Sequence, residues 1–359
     1  MVLVPHLEGA LVSHPIDMAV RLASNTARVG WFYGVNRLIA SRFTSNTKQA
    51  SASSTRSSPS RAELFGELRQ LLMEDVADAS AGINPGIEFR PGKLPGHVGR
   101  LRAMLRDLPD TVERREQGVF DTAKDHGSTD DLPDYYAQDF HFQTGGHLSD
   151  GSARIYDVQV ETLFYGSADV MRRAAFRPIH AHLQGRDQRS IALLDIACGT
   201  GRFLRDVRRS YPRMPLSGLD LSPAYLDEAQ RHLGDLRPVN WLRGNAETMP
   251  IDDASQDIVT SIFLHHELPQ DARRAVAREI ERVLKPGGIF VFVDSLQFGD
   301  RPGWDGMLEA FPERFHEPYY RHYLIDDLGE MFAETGLNVG ATRNTFMSKV
   351  VTMQKPQRL

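Results

Sequence analysis

From Ile191 onward, short apolar runs alternate with amphipathic segments of helical length. This alternation is typical of a sheet built from strand–helix–strand units, because consecutive parallel strands need a helix-sized crossover between them. The apolar runs predict strands at 191–196, 215–219, 239–242, 257–264, 288–294 and 346–352. The sequence therefore predicts an α/β fold with a mostly parallel sheet in this part of the chain.

Local signals mark where two of the intervening helices begin and end. Ser222 is a suitable N-cap residue, Pro223 suits the first helical position, and Gly234 closes that helix. A later apolar stripe runs from Ala272 to Leu284 and stops at the "KPGG" of residues 285–288. These signals predict one helix after the second strand and another before the fifth.

Composition limits the compartment and the kinds of site. Cys198 is the only cysteine in 359 residues, which excludes an internal disulfide framework and a cysteine-based zinc site. The chain has no apolar run of membrane-spanning length, and no signal-peptide pattern follows Met1. We therefore predict a cytoplasmic protein.

Charge is distributed unevenly along the chain. Residues 18–62 contain no Asp or Glu and seven Lys or Arg, whereas the net charge of the whole chain is -5. The remainder is thus acidic, which argues against a general nucleic-acid-binding surface. Residues 18–43 fit an amphipathic helix, with three interpretations: peripheral contact with an anionic membrane, organelle targeting, or packing on the protein's own flank.

The chain is predicted to have four parts. Residues 1–62 form the basic arm and a Ser-rich linker, whose stretch 45–60 is expected to be disordered. Residues 63–132 form a helical extension, and 133–190 an aromatic-rich lead-in. Residues 191–359 form the sheet domain. The aromatic segment "YYAQDFHFQTGG" at 135–146, with Tyr156 and Tyr165, is interpreted either as a lid over a site or as ordinary core packing.

The strand at 191–196 leads into a glycine turn. The stretch "LLDIACGTGRFL" at 193–204 contains Gly199 and Gly201, which let a ligand approach the backbone before a helix begins. Asp220 ends the next strand, where a carboxylate accepts hydrogen bonds from ribose hydroxyls. Leu204 stands where the dinucleotide fingerprint needs a small residue, which disfavours NAD without excluding it.

Four ordered blocks carry a family resemblance. They are "DIACGTG" at 195–201, "GLDLSP" at 218–223, "GNAETMPIDDASQDIVTSIFLHHEL" at 244–268 and "VLKPGGIFVFVDS" at 283–295. Together they resemble class I S-adenosylmethionine-dependent methyltransferases of type 11, the ubiquinone and menaquinone biosynthesis kind, over Ile191 to Met353. The resemblance implies a Rossmann-like, seven-stranded, mostly parallel sheet with helices on both faces. It also implies S-adenosylmethionine as cofactor and a small-molecule methyl acceptor.

The resemblance also implies roles for nine residues. The methionine end of the cofactor would be lined by Asp195, Ala197, Gly199 and Gly201. Asp220 would hold the ribose and Leu221 would contact the adenine, whose edge would meet Asn245 and Ala246, while Phe263 or Leu264 would face the sulfonium. Many relatives have Asp where this chain has Asn245. Two alternatives stay open: Asp220 as a helix cap and Asn245 as a plain turn residue.

Catalytic candidates follow the fourth predicted strand. In "FLHHELP" at 263–269, either His265 or His266 would take a proton from the acceptor, and Glu267 would orient it. The alternative is that one histidine packs or caps while the other is solvated. Gln270 replaces the second histidine of the H-E-x-x-H zinc motif, so no metal is expected. Asp294 and the block "RFHEPYYRHY" at 314–323 are further candidates for the acceptor pocket.

Two functions from different classes remain. The first is an enzyme that moves a methyl group from S-adenosylmethionine to a small molecule by in-line displacement. The second is a regulatory or assembly protein that binds the cofactor without turnover. The sequence predicts neither the acceptor nor the oligomeric state.

Overall fold

The structure is a computed structural model that describes residues 15–43, 56–88, 94–120, 132–142 and 144–357. The predicted disordered linker lies outside these residues from 45 to 55, and its last five residues, 56–60, are described. Among the helices in the described ranges, none combines the length and hydropathy needed to cross a bilayer.

A seven-stranded sheet forms the core of the carboxyl-terminal half. Its strands lie in the order β3-β2-β1-β4-β5-β7-β6, with β7 antiparallel to both β5 and β6 and the other pairs parallel. The strands are β1 (Leu193–Ile196), β2 (Leu216–Asp220), β3 (Asn240–Arg243), β4 (Gln256–Ile262), β5 (Leu284–Ser295), β6 (Asn338–Thr345) and β7 (Ser348–Gln354). The predicted α/β class and mostly parallel sheet are confirmed.

Two strand predictions need correction. The strand β6 was not among the six predicted strands, because its residues Asn338–Arg343 are largely polar or solvent-exposed and carry no apolar run. The strand β5 starts at Leu284 rather than 288, because "KPGG" ends the preceding helix and pairs at once with the carboxyl-terminal strand region. Gly287 N–H donates to Lys355 O at 2.9 Å and Lys355 N–H to Gly288 O at 3.0 Å.

Six helices pack around the sheet. They are α7 (Arg202–Ser210), α8 (Pro223–Leu233), α9 (Gln270–Val283), α10 (Asp305–Phe315), α11 (Tyr320–Tyr323) and α12 (Leu328–Glu334). The predicted caps of α8 are confirmed, because the Ser222 hydroxyl accepts from Tyr225 N–H at 3.3 Å and Gly234 follows the last turn. The apolar residues of α9 pack into the large core cluster with Phe290 and Phe292.

Six further helices precede the sheet. They are α1 (Pro15–Phe43), α2 (Arg61–Ser80), α3 (Leu94–Gln117), α4 (Asp150–Leu163), α5 (Ala168–Arg173) and α6 (Phe176–Leu183). The helix α1 buries Phe32 and Val35 in a small core that also holds Met104 of α3 and Ile155 of α4. One face of α1 therefore packs on the protein's own flank.

A buried ion pair connects α2 to α5. Asp75 of α2 accepts two hydrogen bonds from the Arg173 guanidinium of α5, at 2.7 and 2.8 Å. The same carboxylate accepts from Asn25 of α1 at 3.4 Å and from Asn84 at 3.2 Å. Because both charged groups are buried, α1, α2 and α5 converge on one polar contact inside the core.

Candidate active site

A cavity lies at the carboxyl ends of β1, β2 and β4, where a parallel sheet binds its ligands. We call it the cofactor cavity. Seven of the nine residues implied for the cofactor line it, although they come from four separate stretches of sequence: Ala197, Gly199, Asp220, Leu221, Asn245, Ala246 and Phe263. The sheet order explains this, because β1 lies between β2 and β4.

Asp220 is held by the backbone around it. One carboxylate oxygen accepts from Gly199 N–H at 2.8 Å, and the other accepts from Ser222 N–H at 2.9 Å. Burial raises the pKa of Asp220, while these two N–H groups act in the opposite direction. Each oxygen keeps a further lone pair, so the fixed carboxylate can still accept from two ribose hydroxyls.

Of the two glycines in the turn, only Gly199 faces empty space. Gly199 has φ +54°, and a Cβ built there would meet no atom within 4 Å. Ala197 and Phe263, at the ends of β1 and β4, also have positive φ, of 51° and 61°. Such strained non-glycine residues cluster at ligand sites, where the surrounding structure fixes them.

Two implied cofactor residues lie off the cavity. Gly201 instead packs against α8 and β3, where an added Cβ would come within 2.8 Å of the Ala229 Cβ and 3.0 Å of the Trp241 ring. Asp195 is buried beneath the turn and accepts from the Thr260 hydroxyl at 2.6 Å. Burial raises the pKa of Asp195 to about 7. Both residues thus support the glycine turn from the side that faces away from the cofactor cavity.

Asn245 forms a turn of its own. Its amide oxygen accepts from Glu247 N–H at 2.9 Å, and its amide nitrogen donates to the Glu247 carboxylate at 3.1 Å. The Tyr135 hydroxyl donates to that same carboxylate at 2.6 Å. Asn245 thus lines the cavity and also makes the turn contact expected of the alternative interpretation.

Sequence reasoning missed part of the cofactor cavity wall. Tyr136, His147 and Tyr225 line it, and the Tyr225 hydroxyl contacts His147 Nδ1 at 3.2 Å and the Ser152 hydroxyl at 3.1 Å. For Tyr136 and His147, the unusual density of aromatic and histidine residues before the sheet was the available signal, whereas Tyr225 lies in α8, outside that segment. This density indicated a lid in general terms, but it did not indicate which side chains would reach the cofactor.

A second, larger cavity adjoins the first, and we call it the acceptor cavity. It has a volume of about 510 Å³, and Tyr156, Phe263 and Glu267 line both cavities. Most of its remaining wall is apolar: Leu64, Val160, Leu163, Phe164, Met307, Leu308, Ala310, Phe311, Phe315 and Met347. Its polar lining includes His141, His266, Glu267 and Glu317.

The three catalytic candidates do not share one environment. His265 lines neither cavity: it is fully buried, with its ring 5.1 Å from the Phe292 ring and 5.6 Å from the Phe332 ring. Burial lowers the pKa of His265 to about 4. This placement does not support the prediction that His265 takes a proton from the acceptor, because its side chain lies behind Asp294 and lines neither cavity.

His266 and Glu267 do face the acceptor cavity. His266 Nδ1 lies 2.5 Å from an Asp294 carboxylate oxygen. Burial alone would lower the pKa of His266, but the Asp294 charge raises it to about 10, so the pair is ionic. The Glu267 carboxylate lies 3.6 Å from His141 Nε2 and 3.5 Å from His147 Nε2. These imidazoles lower the pKa of Glu267 despite the opposing effect of its burial.

The block at 314–323 contributes Phe315, Glu317 and Tyr320 to the wall of the same cavity. The Tyr320 hydroxyl lies 2.5 Å from the Ser295 hydroxyl, and Glu317 lies 3.1 Å from His141 Nδ1. Burial raises the pKa of Glu317 to about 6, although the His141 charge acts in the opposite direction. Of these candidates, Phe315, Glu317 and Tyr320 line the acceptor cavity, and Asp294 lies directly behind His266.

A parallel sheet with a glycine turn, a ribose-type carboxylate and two joined cavities defines a nucleoside-cofactor enzyme fold. Comparison with known proteins indicates which class of enzyme this fold resembles. Residues 193–288 match the model of a methyltransferase domain family.

Two curated relatives are named as methyltransferases. The chain is 32% identical over 149 residues to a phthiotriol/phenolphthiotriol dimycocerosates methyltransferase of Mycobacterium tuberculosis strain H37Ra, covering 41% of this chain and 54% of the relative. It is 32% identical over 165 residues to a ubiquinone/menaquinone biosynthesis C-methyltransferase of Methylobacterium nodulans, covering 45% and 63%. A solved putative methyltransferase from Bacillus halodurans is 17% identical, with a TM-score of 0.40, over 50% of this chain and all of that one.

The chain spans between about half and two thirds of the length of these curated relatives. The match to a methyltransferase domain supports a class I S-adenosylmethionine-dependent methyltransferase domain in its carboxyl-terminal part. The same match supports S-adenosylmethionine as the cofactor.

Proposed function

We propose that this protein transfers a methyl group from S-adenosylmethionine to a small, largely apolar molecule. The observation that carries the proposal is the junction of two cavities at Phe263, Tyr156 and Glu267. A donor in the cofactor cavity would direct its sulfonium methyl toward this junction. An acceptor in the neighbouring cavity would present its nucleophile there.

The described residues fit the cofactor. Asp220 would accept from the ribose hydroxyls, and the open backbone at Gly199 and Ala197 would face the methionine end. Leu221, Asn245 and Ala246 would contact the adenine. When bound, the cofactor supplies a methyl group already activated by the positive sulfur. The protein's own work is then to hold the acceptor in line and to exclude water.

The acceptor cavity favours an apolar molecule with one reactive polar end. Its apolar wall suits a ring or chain, and a volume of about 510 Å³ is in the range of small-molecule sites. The relatives named for phthiotriol dimycocerosates and for demethylmenaquinone support the same class of acceptor. If the nucleophile is a hydroxyl or enol, it loses a proton, and Glu317 is the group placed to receive it, because its pKa is raised whereas His266 is already protonated beside Asp294 and the pKa of Glu267 is lowered.

The acceptor's apolar character also supports peripheral membrane contact through residues 18–43. The inner face of α1 packs on the protein, but Val20, Trp31 and Leu38 are 57%, 49% and 40% exposed. Their spacings of 11 and 7 residues are close to whole helical turns, so they lie on one outward face. Such a stripe would rest on a bilayer from which an apolar acceptor is taken up.

Methyl transfer is tested with S-adenosylmethionine carrying a labelled methyl group and a panel of alkylphenols and prenylated quinols. We expect label in the organic extract only with active protein. Asp220→Ala should weaken S-adenosylhomocysteine binding in calorimetry by about 1.5–3 kcal/mol, the scale of hydrogen bonds to a charged group. The matched control is Asp252→Ala, which removes an exposed carboxylate elsewhere.

Two results would count against the proposal. Unchanged S-adenosylhomocysteine affinity in Asp220→Ala would remove Asp220 from the cofactor site. Tight S-adenosylhomocysteine binding without label transfer to any apolar compound would favour a cofactor-binding regulatory protein instead.

A further inference from the structure

Three potential metal ligands meet at the polar end of the acceptor cavity. His141 precedes α4, Glu267 follows β4, and Glu317 lies between α10 and α11, so the chain brings them together from distant positions. One ligand atom from each residue can be chosen so that all three atoms lie within 4.8 Å of one another. All three side chains line the acceptor cavity.

The His141 ring lies between the two carboxylates. His141 Nδ1 lies 3.1 Å from Glu317 Oε1, and the opposite ring nitrogen, Nε2, lies 3.6 Å from Glu267 Oε1. Ligand atoms about 2 Å from one transition metal are themselves roughly 3 to 3.5 Å apart, so the three ligand atoms, now within 4.8 Å of one another, would move slightly closer together around an ion. A cation between the carboxylates would take one of the two His141 nitrogens and leave the other as a hydrogen-bond donor.

Glu317 has a buried carboxylate without the partners that such a group needs. The residue is 2% exposed, and neither of its oxygens accepts a hydrogen bond from any of the described residues. The 3.1 Å approach of His141 is an ion-pair contact without hydrogen-bond alignment. A buried carboxylate normally has its lone pairs satisfied, so these oxygens point to a missing ligand.

A second buried polar atom lies beside the cluster. His147 is 7% exposed, its Nδ1 contacts the Tyr225 hydroxyl at 3.2 Å, and its Nε2 lies 3.5 Å from Glu267 Oε2. This Nε2 atom also has no hydrogen-bond partner among the described residues. The unsatisfied atoms on Glu317 and His147 thus flank Glu267 from separate elements.

The charges around the cluster favour a cation. Asp294 is already paired with His266 at 2.5 Å, so that imidazole is balanced. Glu267 and Glu317 remain as two carboxylates in a largely buried space, with His141 as the imidazole between them. His147 and His266 also lie 3.5 and 4.0 Å from the Glu267 carboxylate, but a divalent ion would offset both negative charges without requiring His141 or His147 to be protonated.

We propose that His141, Glu267 and Glu317 bind a divalent transition-metal cation. One imidazole and two carboxylates form a ligand set that suits Mn²⁺, Fe²⁺ or Zn²⁺ better than the all-oxygen sites of Ca²⁺. The three residues leave coordination positions open toward the cavity. If the proposed methyl transfer is correct, an acceptor hydroxyl or enol oxygen would occupy one of them, and the cation would favour its deprotonation.

Cation binding is tested without any acceptor, so its outcome is separate from that of methyl transfer. The full chain is treated with a chelator and titrated with MnCl₂, with the free Mn²⁺ followed by electron paramagnetic resonance. ZnCl₂ and MgCl₂ are titrated in parallel by calorimetry. We expect one Mn²⁺ per chain, with Mg²⁺ binding more weakly.

The variants are Glu317→Gln and Glu267→Gln, which keep the side-chain size but remove a charge. Each should weaken Mn²⁺ binding at least about 10-fold. The control Glu330→Gln, an exposed carboxylate on α12, should leave it unchanged. Retained circular dichroism and an unchanged melting temperature without metal show that the variants are folded. As a measure that needs no variant, Mn²⁺ should raise the melting temperature of the unmodified protein.

The proposal is overturned if the unmodified protein binds neither Mn²⁺ nor Zn²⁺ at millimolar concentration. It is also overturned if both Gln variants bind Mn²⁺ as well as the unmodified protein does. In either case the cluster would be a proton-sharing network of histidines and carboxylates.

Discussion

At the scale of single residues, the two glycines of the turn have different tasks. Both have positive φ, but only Gly199 faces open space, whereas Gly201 contacts Ala229 and Trp241. The sequence pattern gives them equal weight, because spacing alone does not show which glycine meets a ligand and which meets another helix. The resemblance therefore implied the same role for both.

Replacing each glycine by alanine should separate the two tasks. Gly201→Ala adds backbone strain and a clash, so we expect a loss of about 2 kcal/mol or more in the free energy of unfolding. Gly199→Ala adds strain alone, about 1 kcal/mol, but should weaken S-adenosylhomocysteine binding. Equilibrium unfolding in urea and calorimetry measure the two effects. Equal destabilisation by both substitutions would contradict this division.

Long-range contacts explain why the sequence did not predict that His141 and Glu317 meet Glu267. His266 and Glu267 were identifiable because they follow a strand that ends at the cofactor. His141 and Glu317 lie 126 and 50 residues from Glu267, and no local pattern connects them. His265 was included because adjacent histidines look alike in sequence, but its side chain enters the core while that of His266 faces the cavity.

At the scale of elements, the parallel strands were predictable and the edge of the sheet was not. Strands β1, β2 and β4 are rich in buried apolar residues, which gives them a clear pattern. The edge strand β6 exposes its first five residues and obtains its register from pairing with β7. Pairing of this kind depends on the neighbouring strand and leaves little mark in the sequence of the edge strand itself.

The helix α1 allows a test of membrane contact. Replacing Val20, Trp31 and Leu38 by Ser should reduce binding to phosphatidylglycerol vesicles about 10-fold or more, because each side chain would otherwise bury apolar surface in the bilayer. The control replaces Met73, Ile325 and Val339, which are exposed on other elements. Vesicle co-sedimentation is the measurement. An equal loss in the control, or no binding by the unmodified protein, would exclude a role for α1.

At the scale of the whole molecule, the helices before the sheet are integrated with it. The sequence indicated helices there by their apolar spacing, but it gave no sign of how they attach. Part of the attachment is polar: Asp75 contacts Arg173, and Arg28 of α1 reaches Glu161 and Asp169 at 2.7 and 2.9 Å. Charged residues in helices usually suggest a solvated face, which is why sequence analysis did not place these in the interior.

Removing the Asp75 carboxylate should therefore destabilise the whole chain. Asp75→Ala leaves the buried Arg173 without its partner, and we expect the free energy of unfolding to fall by about 3–5 kcal/mol. Asp235→Ala, on an exposed turn, should change it by less than about 0.5 kcal/mol. Chemical denaturation followed by circular dichroism compares them. A small effect of Asp75→Ala would mean that α2 folds independently of the sheet.

The residues just before α2 contribute to the acceptor cavity, although they lie far from the sheet domain in sequence. Gly306 N–H donates to Ser57 O at 2.8 Å, the Arg56 guanidinium lies 4.1 Å from the centre of the Phe298 ring, and Ser58 and Pro59 line the acceptor cavity. Ser58 and Pro59 thus line the acceptor cavity and not the cofactor cavity, whose wall comes from the sheet domain and from residues between 135 and 156. Exchanging residues 56–60 and their supporting helices between proteins that share this domain would change which acceptor is bound. The cofactor and its reaction would stay the same.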